Sequence, residues 1–306
     1  MMAWMRGWLG GLVLAAFLLA PAGARAEEAA KLRAVASFSI LADLVTQVGG
    51  SRVAVTSLVR PGTDAHGYSP SPGDARTLAE AKVVFVNGLG FEGWIARLIK
   101  ASGTKAPVIV ASRGVKPIQG RHDHDGHASA GDHADPHAWQ SVGNAKTYVA
   151  NIREALAAAD PEGAAFYAAN AAAYTGKLDA LEAEIRAGIA AIPEAHRRII
   201  TTHDSFGYFS AAYGLRFLAP QGVSTDSEAG PKDVARIVRQ IRRDKVPAVF
   251  LETIADPRLM EQISRESGAK VGGKIFSDAL SAADGPASGY LEMMRSNLRA
   301  FRDALG

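Results

Sequence analysis

The feature that most constrains this chain is a rhythm that occurs twice. Short β-rich runs alternate with amphipathic helical segments on either side of one long helical stretch. In the first half the strand-like runs are 32–37, 53–58, 82–86 and 107–111, with helical patterns at 40–48, 74–81 and 92–101. The second half has strand-like runs at 197–202, 215–218, 248–252 and 270–275, and helical patterns at 206–213, 231–243, 258–267 and 289–305. Strands alternating with helices predict an α/β fold of two lobes with largely parallel sheets. Between them, Asp160-Pro161-Glu162 supplies an N-cap, a proline for the first helical position and an early acid. Tyr174, Leu178, Leu181, Ile185, Ile189 and Ile192 then recur in steps of three and four until Pro193. A helix over 163–191 would be about 43 Å long and would join the lobes as a stiff spine. The alternative is two shorter helices broken at Gly176, although an interior glycine costs only ~1 kcal/mol. The domain plan is therefore a leader in 1–26, an N-terminal lobe in 27–159, a linking helix in 160–193 and a C-terminal lobe in 194–306.

The leader follows from Arg6, an apolar run over 9–20, then Pro21, Gly23 and Ala24-Arg25-Ala26. A basic start, a short apolar stretch and a small-residue cleavage site read as a cleavable secretory signal, too short to span a bilayer. No later run is apolar enough to do so, and the expectation is a soluble periplasmic protein. The chain contains no cysteine. That rules out disulfides and thiolate metal sites and, with no thiol to acylate at the cleavage site, predicts a protein that is not a lipoprotein. Any metal must be held by nitrogen and oxygen donors. The formal charge of +3 includes Arg6 and Arg25, which leave with the leader, and no dense basic run remains to bind nucleic acid.

Eight histidines carry the chemistry. His122, His124, His127 and His133 lie with Asp123, Asp125 and Asp132 in 121–133, a segment without apolar period that reads as a mobile loop. These four either bind zinc weakly and pass it on, or belong to a solvated tether with incidental affinity. His196, beside Arg197 and Arg198, reads as a solvated bystander. His66 follows a strand in a turn-rich loop, His203 comes directly off the end of another, and His137 precedes the helix that starts near Asn144. Asp278 follows the last strand in the same way. Ligands in open α/β sheets bind beyond the carboxyl ends of the strands. A lone histidine is more often a satisfied polar residue than a ligand, yet the shared position makes these four candidates for one site in the cleft between the lobes. Gly88-Leu89-Gly90-Phe91-Glu92-Gly93 matches a dinucleotide fingerprint, but it follows the third strand, places Glu92 where a pyrophosphate would sit and lacks the later acid.

Taken together, the stretches 61–70, 87–94, 135–139, 203–209 and 275–280 resemble the metal-specific solute-binding proteins of ABC importers, the group with a rigid interlobe helix that includes zinc and manganese receptors. The resemblance covers essentially the whole mature chain. It implies that His66, His137, His203 and Asp278 are metal ligands and that the loop at 121–133 corresponds to the histidine-rich loop of zinc members. It also implies an inner-membrane ABC permease as partner, admits a periplasmic zinc metallochaperone as another, and implies a monomer rather than an enzyme. Three imidazoles and one carboxylate suit tetrahedral Zn2+ as the transported ligand, whereas manganese favours more oxygen donors. The resemblance adds that manganese members carry Glu where this chain has His203. The alternatives are a manganese receptor or metal-dependent adhesin of the same fold, and a zinc hydrolase with Asp278 as base.

Overall fold

The computed structural model describes residues 1, 31–120 and 134–306. The expected leader beyond Met1, and the loop bearing His122, His124, His127 and His133, lie outside the described residues. Four strands, β1 (Leu32–Phe38), β2 (Val53–Val59), β3 (Val83–Val86) and β4 (Val108–Val110), alternate with α1 (Ser39–Gly49), α2 (Pro72–Glu80) and α3 (Ile95–Ser102). Helices α4 (Val142–Ala159) and α5 (Ala164–Ala190) follow. The second half then runs β5 (Arg198–Ile200), α6 (Gly207–Tyr213), β6 (Arg216–Leu218), α7 (Pro231–Asp244), β7 (Ala248–Glu252), α8 (Arg258–Ser267), β8 (Lys270–Ile275) and α9 (Tyr290–Leu305).

The two sheets share one topology, β2-β1-β3-β4 and β6-β5-β7-β8, with every neighbouring pair parallel. These are the two α/β lobes. Parallel strands covered by helices are buried on both faces, and β3, Val-Val-Phe-Val, is buried at all four positions. In each sheet the chain reverses direction of travel once, between β1 and β3 and again between β5 and β7. A crevice opens beyond the carboxyl ends of the strands at such a reversal.

The long helix exists and passes through Gly176 unbroken. With 27 residues, α5 is about 40 Å long. Its start is fixed by Asp160, which accepts from Arg52 through two bonds of 2.8 and 2.9 Å and from Tyr167 Oη at 2.6 Å. The buried stripe, including Tyr167, Tyr174, Leu178, Leu181, Ile185 and Ile189, packs on α1 and α4 from the first half and on α6 and α9 from the second. Gly188 lets α9 come close, since a Cβ there would lie 2.8 Å from Leu298 Cδ1. One apolar core runs continuously from the β1–β4 sheet past α5 to Phe217, Phe250 and Phe301. A smaller one sits beneath α7 and α8.

Two substitutions test the helix. A Cβ at Gly176 meets open space, so Gly176→Ala should raise unfolding stability by roughly 0.5–1 kcal/mol, the usual gain inside a continuous helix. Leu181→Ala, at a fully buried position, should cost ~2–5 kcal/mol. Urea unfolding of both variants measures the pair, and a destabilising Gly176→Ala would contradict the unbroken helix.

Candidate metal centre

Four chain segments bring His66, His137, His203 and Asp278 to one place, where one possible ligand atom from each lies within 4.8 Å of all the others. His66 Nε2 is 3.2 Å from His137 Nε2 and 3.3 Å from Asp278 Oδ2. His203 Nε2 is 3.1 Å from Asp278 Oδ2, and His137 Nε2 is 3.6 Å from Asp278 Oδ1. Bonds of ~2.0–2.1 Å around a tetrahedral ion would set neighbouring donors about 3.3 Å apart. The contacts His66–His137, His66–Asp278 and His203–Asp278, at 3.1–3.3 Å, already stand close to that spacing. His137, His203 and Asp278 are fully buried, and His66 retains 8% exposure.

One local device sets two of the three histidines. Asp64 Oδ1 accepts the backbone N–H of His66 at 2.9 Å, and Asp135 Oδ1 accepts that of His137, also at 2.9 Å. Both are an Asp two residues before a His, a turn in which the short side chain bonds the backbone ahead of it. His203 has Thr201 at that offset, so the bond comes from another strand: Glu252, the last residue of β7, accepts Thr202 N–H at 2.7 Å and His203 N–H at 3.0 Å. Asp135 and Glu252 also reach the rings. His137 Nδ1–H donates to Asp135 Oδ1 at 2.7 Å, and His203 Nδ1 lies 2.6 Å from Glu252 Oε2. Asp64 leaves the His66 ring alone and instead accepts Thr225 Oγ1–H at 2.5 Å from the other lobe.

Cross-lobe bonds deliver Asp278. Trp139 Nε1–H and Gln140 Nε2–H both donate to the carbonyl of Ser277, at 3.0 and 2.8 Å. Ser39 Oγ accepts Leu280 N–H at 3.0 Å. Behind His137, Asn87 donates to Pro136 O at 2.9 Å and accepts from Tyr148 Oη at 2.6 Å. The glycine-rich turn belongs to this scaffold. Glu92 turns back to accept Asn87 N–H, Gly88 N–H and Ser37 Oγ–H, filling the donors that a phosphate would need. Gly88 has φ +86°, and a Cβ there would meet Val110 Cγ1 at 2.5 Å. Phe91 packs edge-on against the His66 ring, 4.7 Å between centroids.

The electrostatics follow from three buried carboxylates around two of the imidazoles. Burial pulls the His137 pKa down, but Asp278 and Asp135 outweigh it and hold it at about 9. Burial likewise opposes charge on His203, and Glu252 and Asp278 more than compensate, raising it well above the ordinary range. Burial pushes Asp278 up, whereas the imidazoliums of His203 and His137 hold it well below the usual carboxylate range. Without an ion, two protons supply the positive charge in the cage, and a cation that enters must displace them.

Asp135 and Glu252 were not assigned roles from the sequence. The repeated Asp-x-His was the available signal for Asp135; nothing local pointed to Glu252. His196 is exposed, and its Nδ1–H donates to the carbonyl of Leu305 at 2.9 Å at the end of α9. Gln119 and Ala134, at the base of the histidine-rich loop, pair in an antiparallel bridge next to Asp135.

Comparison with known proteins is consistent along about nine-tenths of the chain. Residues 34–304 match the family model described as zinc-uptake complex component A, periplasmic. The manganese-binding lipoprotein MntA of Halalkalibacterium halodurans is 34% identical, over 91% of this chain and 90% of its own. The iron-binding protein YfeA of Yersinia pestis is 31% identical, over 92% and 88%. The periplasmic zinc-binding protein TroA from Treponema pallidum superposes with a TM-score of 0.84 at 28% identity, covering 90% of this chain and all of the other. These names correct one expectation, that of a soluble protein that is not a lipoprotein. MntA and further relatives are named lipoproteins, which implies anchoring at the membrane. The expectation stood on the missing cysteine, and a missing thiol speaks only to one covalent attachment.

In the metal-free protein the His137 imidazole should titrate near pH 9. Its folded value exceeds the ordinary 6.5, so the pairing contributes stability fully below pH ~6.5 and loses it as pH rises through about 9. Proton NMR of the ring follows this directly. Asp135→Asn should bring the midpoint down toward neutrality, and an unchanged midpoint would break the assignment.

Proposed function

The chain belongs to the periplasmic zinc-uptake complex component A family, and on that premise we propose that it captures Zn2+ in the four-residue cage and surrenders it to a membrane importer. Membership makes it the metal-binding receptor of an ABC importer rather than an enzyme, with a membrane permease and its ATPase as the partner it serves. His66, His137, His203 and Asp278 are the proposed ligands, and the observation that carries this is the spacing of three Nε2 atoms about one buried carboxylate.

The choice of zinc rests on the donor set. Three nitrogens and one carboxylate meet the needs of a tetrahedral ion, and no second carboxylate joins the cluster among the described residues. A second reading, manganese or iron, is favoured by what MntA and YfeA are named for. Manganese prefers a more oxygen-rich shell of higher coordination number. The proposal takes residues 27–159 and 194–306 as the lobes and 160–193 as the joining segment; the packing of α5 on helices from both supports that division. It also takes the loop histidines, whose base adjoins Asp135, as a weak collecting arm.

Two experiments decide the reading. Purified protein should bind one Zn2+ per chain, keep it against excess Mn2+, and lose affinity by about 100-fold or more in His203→Ala, as expected when one of four ligands is removed from a closed site. Tighter binding of Mn2+ or Fe2+ in the same competition would overturn zinc. Release is tested at Thr225, whose hydroxyl ties the His66 loop to the other lobe. Thr225→Val should speed Zn2+ transfer to a chelator several-fold with the fold intact, because one part-buried hydrogen bond is worth ~1 kcal/mol. An unaltered rate would place the exit elsewhere.

A further inference from the structure

Given the reading of the four-residue cage, on which this rests, we infer that Glu252 is a positioning residue that fixes the tautomer of His203 and thereby its strength as a metal donor. Glu252 touches no proposed ligand atom. It is itself buried, with no exposed side-chain surface, at the reversal point between β5 and β7 where the second sheet opens its crevice. One carboxylate oxygen takes the backbone N–H groups of Thr202 and His203 at 2.7 and 3.0 Å. The other lies 2.6 Å from His203 Nδ1, set off the ring's donor axis, and neither of those two atoms has another hydrogen-bond partner.

The consequence is chemical. A neutral imidazole has one N–H, and the nitrogen without it carries the lone pair that can ligate. A carboxylate beside Nδ1 draws the proton there and leaves the Nε2 lone pair facing Asp278 and the cage. A carboxylate partner also raises the basicity of the ring it orients. Asp135 does this for His137 from two residues away, so its role is built into the local turn. His203 depends wholly on a residue 49 positions along the chain. Glu252 therefore couples the shape of the second sheet to the quality of one ligand.

Glu252→Gln isolates the effect. A glutamine has one carbonyl oxygen, and the backbone donors of Thr202 and His203 claim it. Its NH2 group then faces Nδ1 and donates to it, which forces the ring proton onto Nε2, the nitrogen that must ligate. Zn2+ affinity, measured by chelator competition, should fall 10- to 100-fold, the range expected for loss of a partner behind a ligating histidine. In the Co2+-loaded protein the visible d–d bands should shift, since the field from His203 weakens. In a His203→Ala background the same substitution should change Zn2+ affinity by less than about twofold, because the ring it acts through is gone.

The outcomes separate cleanly. If Glu252→Gln costs as much without the His203 ring as with it, Glu252 is a framework residue and the inference falls. It falls too if Glu252→Gln leaves Zn2+ affinity intact while His203→Ala reduces it. If His203→Ala itself leaves affinity unchanged, the ligand set is wrong and the reading beneath the inference goes first. Should Glu252→Gln not fold, Glu252→Asp withdraws the charge by one methylene and is read the same way: the 10- to 100-fold loss is expected, and full affinity overturns it.

Discussion

A carboxylate buried without enough donors organises this molecule. Asp278 is fully buried, and its Oδ1 finds no hydrogen-bond partner. Isolated in a protein interior, such a group would shed its charge. It keeps the charge because three imidazole nitrogens converge on it, and because Asp135 and Glu252 keep two of those rings positively charged in the absence of an ion. The surplus negative charge of three carboxylates over two imidazoliums is what makes the cage receptive to a dication. Protons hold the site together until a metal replaces them, so capture and proton release are one event.

That event takes place in a frame that resists wide opening. A hinge between two lobes works when few contacts cross it. Here the main core runs through both sheets, α5 packs on helices from each, and the loop carrying Asp278 is bonded to Ser39, Trp139 and Gln140 across the cleft. Separating the lobes would expose much of that core, at roughly 25 cal/mol for each Å² of apolar surface. Motions confined to a loop cost far less. The spine therefore directs conformational change to the rim of the site.

Much of this was legible in the sequence, and the limits have physical reasons. The strands showed as short β-rich runs because parallel strands are buried on both faces, the helices because burial imposes a period of three to four residues, and α5 because its apolar stripe never lapses. Three of the four converging side chains could be placed by topology, since His66, His203 and Asp278 each follow a strand at the same end of its sheet, whereas His137 lies just before α4. Glu252 could not. It ends β7 as an ordinary acid, and only the parallel pairing of β5 with β7 brings it against His203. Asp64 and Asp135 were nearer to view, because Asp-x-His occurs twice and makes the same backbone bond each time. The expectation of a protein that is not a lipoprotein rests on a missing cysteine, and residue chemistry can exclude one covalent anchor without excluding attachment to the membrane. The identity of the ion stays a matter of donor chemistry, because first-row metals compete for such ligands in an order that the protein only partly resets.

The three imidazoles are not equivalent, and the difference gives the site a direction. His137 and His203 are fully buried, and each ring is backed by a carboxylate. His66 keeps some exposure, and the carboxylate of Asp64 holds its backbone but not its ring. The other oxygen of Asp64 is bonded to Thr225 of the second lobe, and Gly62 N–H donates to the carbonyl of Leu280, so two cross-lobe bonds hold the His66 loop. A ligand that lacks a partner behind it and lies nearest to solvent is the one whose displacement costs least. On the proposed ligand set, metal should therefore enter last onto His66 and leave first from it. A receptor that must bind tightly and still let go can reconcile the two demands in this way, by making one ligand of four answer to a contact that a docking partner can disturb.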